Sequence, residues 1–249
     1  SSPGFVYTGL AVYSPIRMEA TLKNVLVVAY YWPPAGGPGV QRWVGLTRHF
    51  RANGLRPIVV IPKNAAYPQL DFTLEGEVDS ELELIRVPII EPIRWAKWLG
   101  FSQAKDYSKG LLPSKPKGLL QRLLFAARAQ LFVPDSRLLW IKPLSRALAR
   151  LIEQHDVEAL ITTGPPHSVH LAALDLLKHH RSLTLKWIAD FRDPWVEIGY
   201  HKTLGLTKRT LASHQKMEQA VAQTADLVLT TTQSLAHHYT QKYGAKTAC

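Results

Sequence analysis

The chain has 249 residues, 46% hydrophobic and 20% charged, a composition that supports a sizeable core in one large domain or two small ones. No run of eighteen apolar residues occurs, no secretory signal opens the chain, and the one cysteine, Cys249, cannot close an intramolecular disulfide; a cytoplasmic protein is expected. The net charge is +11, but eight basic residues against Asp106 alone put +7 of it between residues 93 and 133, leaving +4 elsewhere, so the excess marks one local face.

Residues 1–20, SSPGFVYTGLAVYSPIRMEA, show no clean period and carry turn signals; Met18 is a candidate native start, and the segment reads as a tail. A regular series follows. NVLVVAY (24–30) reads as a buried strand, GVQRWVGLTRHFRANG (39–54) as a helix stopped by Gly54, RPIVVIP (56–62) as a second strand and ELELIRVP (81–88) as a third. Residues 93–133 interrupt the rhythm. The segment is rich in Trp and Lys at its start and passes through a loop at SKGLLPSKPKG. It ends on a helical pattern that groups Leu119, Leu120, Leu123, Leu124, Ala127 and Leu131 on one face, with Arg122 and Arg128 off it. The series then resumes with a helix over 137–154, strand VEALITT (157–163), the helical region GPPHSVHLAALDLLKHH and strand LTLKWIAD (183–190). A long helix over 205–223, strand DLVLTT (226–231) and helix QSLAHHYTQKYG (233–244) complete it. Apolar strands alternating with helices predict an α/β fold with a doubly wound, mostly parallel, Rossmann-like sheet. It forms a single domain over 21–246 that carries a basic amphipathic insertion at 93–133.

In such a sheet, ligands sit outside the carboxyl ends of the strands, where three unusual loops fall. YYWPPAGGPGVQRW (30–43) places Gly36, Gly37 and Gly39 before a helix that begins near Pro38, leaving space and free N–H groups for an anionic or oxygen-rich group. Arg42, in the first helical turn, faces either the cleft or solvent. The spacing is G-G-x-G, without G-x-G-x-x-G, without G-K-S/T, and without an acidic residue after VVIPKN. A nicotinamide site and a Walker loop are therefore disfavoured. A tight turn that binds nothing is the plainer reading.

TTGPPHSVH (162–170) sets His167 at a helix start and His170 three residues on, close enough for neighbouring imidazoles that are expected to be neutral. Two histidines lack the third protein ligand that zinc takes, so no metal is expected. The plainer reading is a helix-start histidine present for hydrogen bonding. ADFRDPW (189–195) puts Asp190, Arg192, Asp193 and Trp195 directly behind a buried strand, where charges must pair or meet a ligand. Asp190 suits orienting a histidine or a hydroxyl and Arg192 suits holding an anion; the alternative is a structural Arg192–Asp193 ion pair.

Taken together, these loops resemble the N-terminal half of bacterial family 4 glycosyltransferases, retaining enzymes of the GT-B fold that assemble polysaccharides and glycolipids. The segments that carry the resemblance are YYWPPAGGPGVQRW, TTGPPHSVHLAA, IADFRDPW and TTTQSLAHHYTQKYG, and it extends from about Leu22 to Lys246. It implies transfer of a sugar from a nucleotide-sugar, used as substrate without a cofactor or metal, to a saccharide or lipid-linked acceptor. The glycine loop would lie near the donor phosphates. His167 would contact the sugar, with His170 second, and Asp190 and Arg192 would line the acceptor side; His167 and Asp190 are the catalytic candidates, and Arg42, Asp193 and Trp195 are expected to touch substrate as well. Family members carry a second Rossmann-like domain with most donor contacts, and this sequence stops where that domain would begin. The fragment alone is expected to be inactive. Residues 93–133 suit an anionic membrane surface and a peripheral position on its inner face, or else a helix packed on the core. The alternatives are a non-catalytic acceptor- or partner-binding domain and, less favoured, an oxidoreductase domain. No nucleic-acid motif appears.

Overall fold

Strand β1 (Lys23–Ala29) lies third in a seven-stranded sheet, beside the central strand, in the computed structural model, which describes residues 22–91, 130, 132–197 and 206–249. The expected tail at 1–20 and nearly all of the basic segment at 93–133 lie outside the described residues. Along the chain follow α1 (Pro38–Phe50), β2 (Leu55–Lys63), β3 (Glu83–Pro88), α2 (Ile141–Gln154), β4 (Val157–Gly164), α3 (Ser168–His179) and β5 (Lys186–Phe191). The last four are α4 (Lys208–Thr224), β6 (Leu227–Thr230), α5 (Gln233–Tyr243) and β7 (Thr247–Ala248). Strand order is β3-β2-β1-β4-β5-β6-β7, and every neighbouring pair is parallel. This is the expected doubly wound α/β sheet, whose order reverses between β1 and β4.

The apolar run of β1 serves both faces of the sheet. Leu26 and Val28 join the core under α2 and α3, while Val25, Val27 and Ala29 join the core under α1. Side chains alternate along a strand, so a strand covered on both faces has no polar position to offer. Helix α1 buries Val40, Trp43, Val44 and Thr47, a one-sided stripe at helical spacing. It tightens into a 3-10 turn over Arg51–Asn53 and stops at Gly54, whose φ of 74° is the left-handed conformation glycine adopts without strain. Helix α3 buries Val169, His170, Ala172, Ala173, Leu174 and Leu176, more than one face, because it lies at the centre of its layer. Thr207 and Thr232 cap α4 and α5 by accepting the N–H groups of Thr210 and Leu235.

Two elements were not expected from sequence. Residues Phe72–Glu77 form a 3-10 segment capped by Asp71, and Thr247–Ala248 adds a seventh, two-residue strand at the sheet edge. The helix expected from 137 begins with a 3-10 turn over Leu138–Trp140, and β5 starts at Lys186 instead of Leu183.

Candidate functional site at the carboxyl edge of the sheet

All the strands run the same way, so the loops after β1, β4 and β5 emerge on one edge, at and beside the order reversal. The glycine loop is stapled to residues 69–71. The Gly36 N–H donates to the Gln69 carbonyl (3.1 Å) and the Asp71 N–H to that of Pro34 (2.8 Å), around a bridge between Ala35 and Leu70. Each glycine has a separate reason to be there. A Cβ on Gly36 would lie 3.0 Å from the Asp71 Cβ; Gly37 takes φ 117° with open space around it; a Cβ on Gly39 would lie 1.7 Å from Nη1 of Arg192. The space expected for a ligand is thus open at Gly37 and filled at the other two. Gly37 is the N-cap of α1 and gives no side-chain cap, and Pro38 follows at the first helical position. Its carbonyl accepts the Val40 and Gln41 N–H groups.

Asp190, at the end of β5, has no solvent exposure. Nη1 of Arg42 donates to both of its oxygens at 2.8 Å, and Oδ2 also accepts from Trp43 Nε1 (2.9 Å) and Thr163 Oγ1 (2.7 Å). This corrects two expectations. Arg42 turns inward to the aspartate, and Asp190 faces protein donors in place of a substrate or a histidine. A carboxylate taken out of water must be neutralised and hydrogen-bonded, and α1 supplies both needs. Arg192 does form the ion pair with Asp193, Nε to Oδ2 at 3.2 Å, with both side chains partly exposed. Its guanidinium extends over the backbone of Gly39, and its carbonyl is held by the Thr231 hydroxyl at 2.8 Å.

His167 sits immediately before α3, where its carbonyl accepts the N–H groups of His170 and Leu171. Its ring is almost fully buried and lies 4.3 Å from that of Trp195, with 7° between the planes. Trp195, expected to touch substrate, is instead wholly buried, and its Nε1 donates to Nδ1 of His214 (3.0 Å). An aromatic this large finds more contact area under the loop than at the rim. His170 is also fully buried, with Nδ1 2.8 Å from the Thr162 hydroxyl, and that hydroxyl accepts from Trp187 Nε1. Burial drives the His170 imidazole down to about 3, so it is neutral, as expected, through desolvation by the core. The two histidine rings are 5.9 Å apart, and Gly164 fits between loop and rings: a Cβ there would lie 2.5 Å from His170 Nε2 and 3.2 Å from His167 Nδ1. Among the described residues no three His, Cys, Asp or Glu converge as a metal site.

Sequence reasoning missed several supporting residues. Asp135 caps α3, its carboxylate accepting the Ser168 N–H (2.9 Å) and hydroxyl (2.8 Å). Trp43, Thr163 and Gly164 complete the Asp190 and histidine surroundings. Tyr30, the first residue after β1, donates to the buried Glu91 at 2.5 Å, and Arg137 lies 3.6 Å from Glu91 and 4.6 Å over the Tyr30 ring. Burial pushes the Tyr30 phenol far above its usual value and that of Tyr67 up to about 12. Asp135 had a signal, a Pro-Asp-Ser turn before a helix; the others are contacts across distant segments.

No family model matches the chain, and no curated protein matches it in sequence. Solved structures do show likenesses. A glycosyltransferase from Rickettsia africae aligns at 14% identity and a TM-score of 0.38, over 92% of this chain and 42% of its own. Sucrose-phosphate synthase from Thermosynechococcus elongatus aligns at 11% and 0.48, over 91% and 47%. UGT2 from Phytolacca americana, in its apo form, aligns at 14% and 0.42, over 84% and 46%. This chain spans less than half the length of each of those three. Among the described residues no helix is long and apolar enough to cross a membrane.

Proposed function

We propose that this chain is the acceptor-side half of a retaining, metal-independent glycosyltransferase that moves a hexose from a nucleotide-sugar to a saccharide or lipid-linked acceptor. The observation that carries the reading is the guanidinium of Arg192 lying on Gly39, beside the N-terminus of α1 that no side chain caps. Arg192 keeps N–H groups beyond the one bound to Asp193; in the first turn of α1, where Pro38 has no N–H and Val40 and Gln41 donate to the Gly37 carbonyl, the Gly39 N–H is the backbone donor that lies beside them. Oriented donors of this kind stabilise the charge that grows on a departing diphosphate, and they do so without reorganising during the reaction. Arg192 therefore belongs to the phosphate side in this reading, although the sequence resemblance put it on the acceptor side.

His167 takes the sugar-contacting role. Its imidazole, stacked on Trp195, is the group that meets a sugar hydroxyl in this reading. Asp190 acts through Arg42 and Trp43, holding α1 against β5, and makes no substrate contact. Asp193 fixes Arg192. Gly36 and Gly37 shape the loop, and His170 packs behind His167. The segment at 93–133 is assigned to a lipid-linked acceptor at an anionic membrane surface, which makes the enzyme peripheral on the cytoplasmic face. Most donor contacts belong to a second domain, and the 249 residues alone have negligible activity.

The test is made on the product of the whole reading frame, incubated with UDP-, GDP- and ADP-sugars and lipid extract, with and without EDTA. Release of one nucleotide, unchanged by EDTA, lost in His167→Ala and reduced in Arg192→Met, is the expected result. No release from any donor sinks the reading and leaves a binding domain.

A further inference from the structure

Trp195 meets no substrate in the reading above, yet its ring stacks face to face on that of His167, and polar groups from a different helix hold it and the next residue. We propose that Trp195 is a positioning residue for His167, held in place from α4 by His214 and Glu218; the proposal rests on the role given to His167.

The contact with His167 is face to face, 4.3 Å between centroids and 7° between planes, whereas the rings of His170 and Phe191 are 5.9 and 6.1 Å away. Trp195 therefore sets the plane in which the imidazole lies. Two bonds from α4 fix Trp195 in turn. Its indole N–H, which can only donate, meets Nδ1 of His214 at 3.0 Å, so that nitrogen carries no proton. One helical turn further on, Glu218 accepts the backbone N–H of the next residue, Val196, at 3.2 Å. Positions four apart on a helix share a face, so α4 grips consecutive residues of the loop through the indole and the backbone together.

Glu218 is itself immobilised. It is buried and accepts from the hydroxyls of Tyr239 (2.8 Å) and Tyr243 (2.5 Å), both on α5. Apolar side chains would fill this space with equal or greater stability, because buried ionic and polar groups must be desolvated. Fully satisfied networks confer a single orientation instead. The orientation conferred here is that of a ring stacked on the candidate sugar-binding histidine. The same loop also carries Arg192, whose carbonyl is held by Thr231.

The experiment follows the His167 Hε1 resonance in the 249-residue chain, identified by its loss in His167→Gln, and transfer by the whole protein. His214→Leu removes the acceptor, and His214→Gln restores one. Trp195→Phe removes the indole N–H together with the need for an acceptor, so it stays folded if His214→Leu does not. The expected result is a displaced His167 resonance in His214→Leu and Trp195→Phe, wild-type position in His214→Gln, and transfer lowered about ten- to a hundredfold in the displaced variants only. A His167 resonance unmoved in both Trp195→Phe and His214→Leu overturns the inference. So do wild-type rates in those variants where His167→Ala is inactive, and the reading of the site then stands. Wild-type rates in His167→Ala overturn that reading and the inference with it.

Discussion

Nη1 of Arg42 lies 2.8 Å from each carboxylate oxygen of Asp190, so a single guanidinium nitrogen neutralises a charge with no solvent exposure. Asp190→Asn puts an amide N–H₂ among the Arg42, Trp43 and Thr163 donors and leaves Arg42 without its counter-ion. The expected loss in urea unfolding is about 2–4 kcal/mol, somewhat less than for a pair buried on both sides because Arg42 is partly exposed. Arg42→Met loses a similar amount. A loss below about 0.5 kcal/mol, the ordinary range for surface substitutions, would show that the pair does not hold α1 to β5.

Two glycine substitutions separate packing from ligand contact. In Gly39→Ala the displaced atom is the tip of a flexible arginine, so stability changes by less than about 1 kcal/mol. Affinity for inorganic pyrophosphate drops toward that of Arg192→Met. In Gly164→Ala the displaced atoms are two packed imidazoles, and overpacking of this kind costs about 1–3 kcal/mol. Thermal unfolding and calorimetric titration of both variants check the contrast.

The acid stability of the chain depends on His170. Its folded value of about 3 lies below the ordinary 6.5, so on acidification the unfolded chain takes up a proton that the folded chain refuses. Stability is lost as pH falls from about 6.5 toward 3, with a slope of up to about 1.4 kcal/mol per pH unit. Desolvation raises Asp175 and Asp226, but hydrogen bonds and lysines outweigh it and hold both below their usual value, so their contribution to stability is lost as pH falls through 3.8 toward the lower folded value. Between pH 6 and 4 part of the loss belongs to His170. Urea midpoints of His170→Phe should fall less across that window than those of wild type; parallel curves would refute the assignment.

The parallel sheet was legible because β1, β2, β4 and β5 are apolar on both faces, a pattern that only a strand covered on two sides requires. Strand β7 was not, since Thr247–Ala248 is two residues long and has no period to read. At the site, the three loops were legible from their Gly, Pro, His and Asp content, but the partners of each residue were not. Asp190 finds Arg42 148 positions away, and Trp195 finds His214 on a later helix. Charge after a buried strand announces that a partner exists, while its identity depends on which helix the fold lays alongside. Trp195 shows the cost of reading locally. Behind two charged residues an indole reads as rim, yet its area and its one donor are both better satisfied beneath the loop.

The meeting of Glu91 and Arg137, 3.6 Å apart, ties the segment after β3 to the segment before α2. Each doubling of the length of a flexible loop adds only about 0.6 kcal/mol of closure entropy. The scaffold therefore keeps its registers at nearly the same cost whatever length of chain that pair encloses.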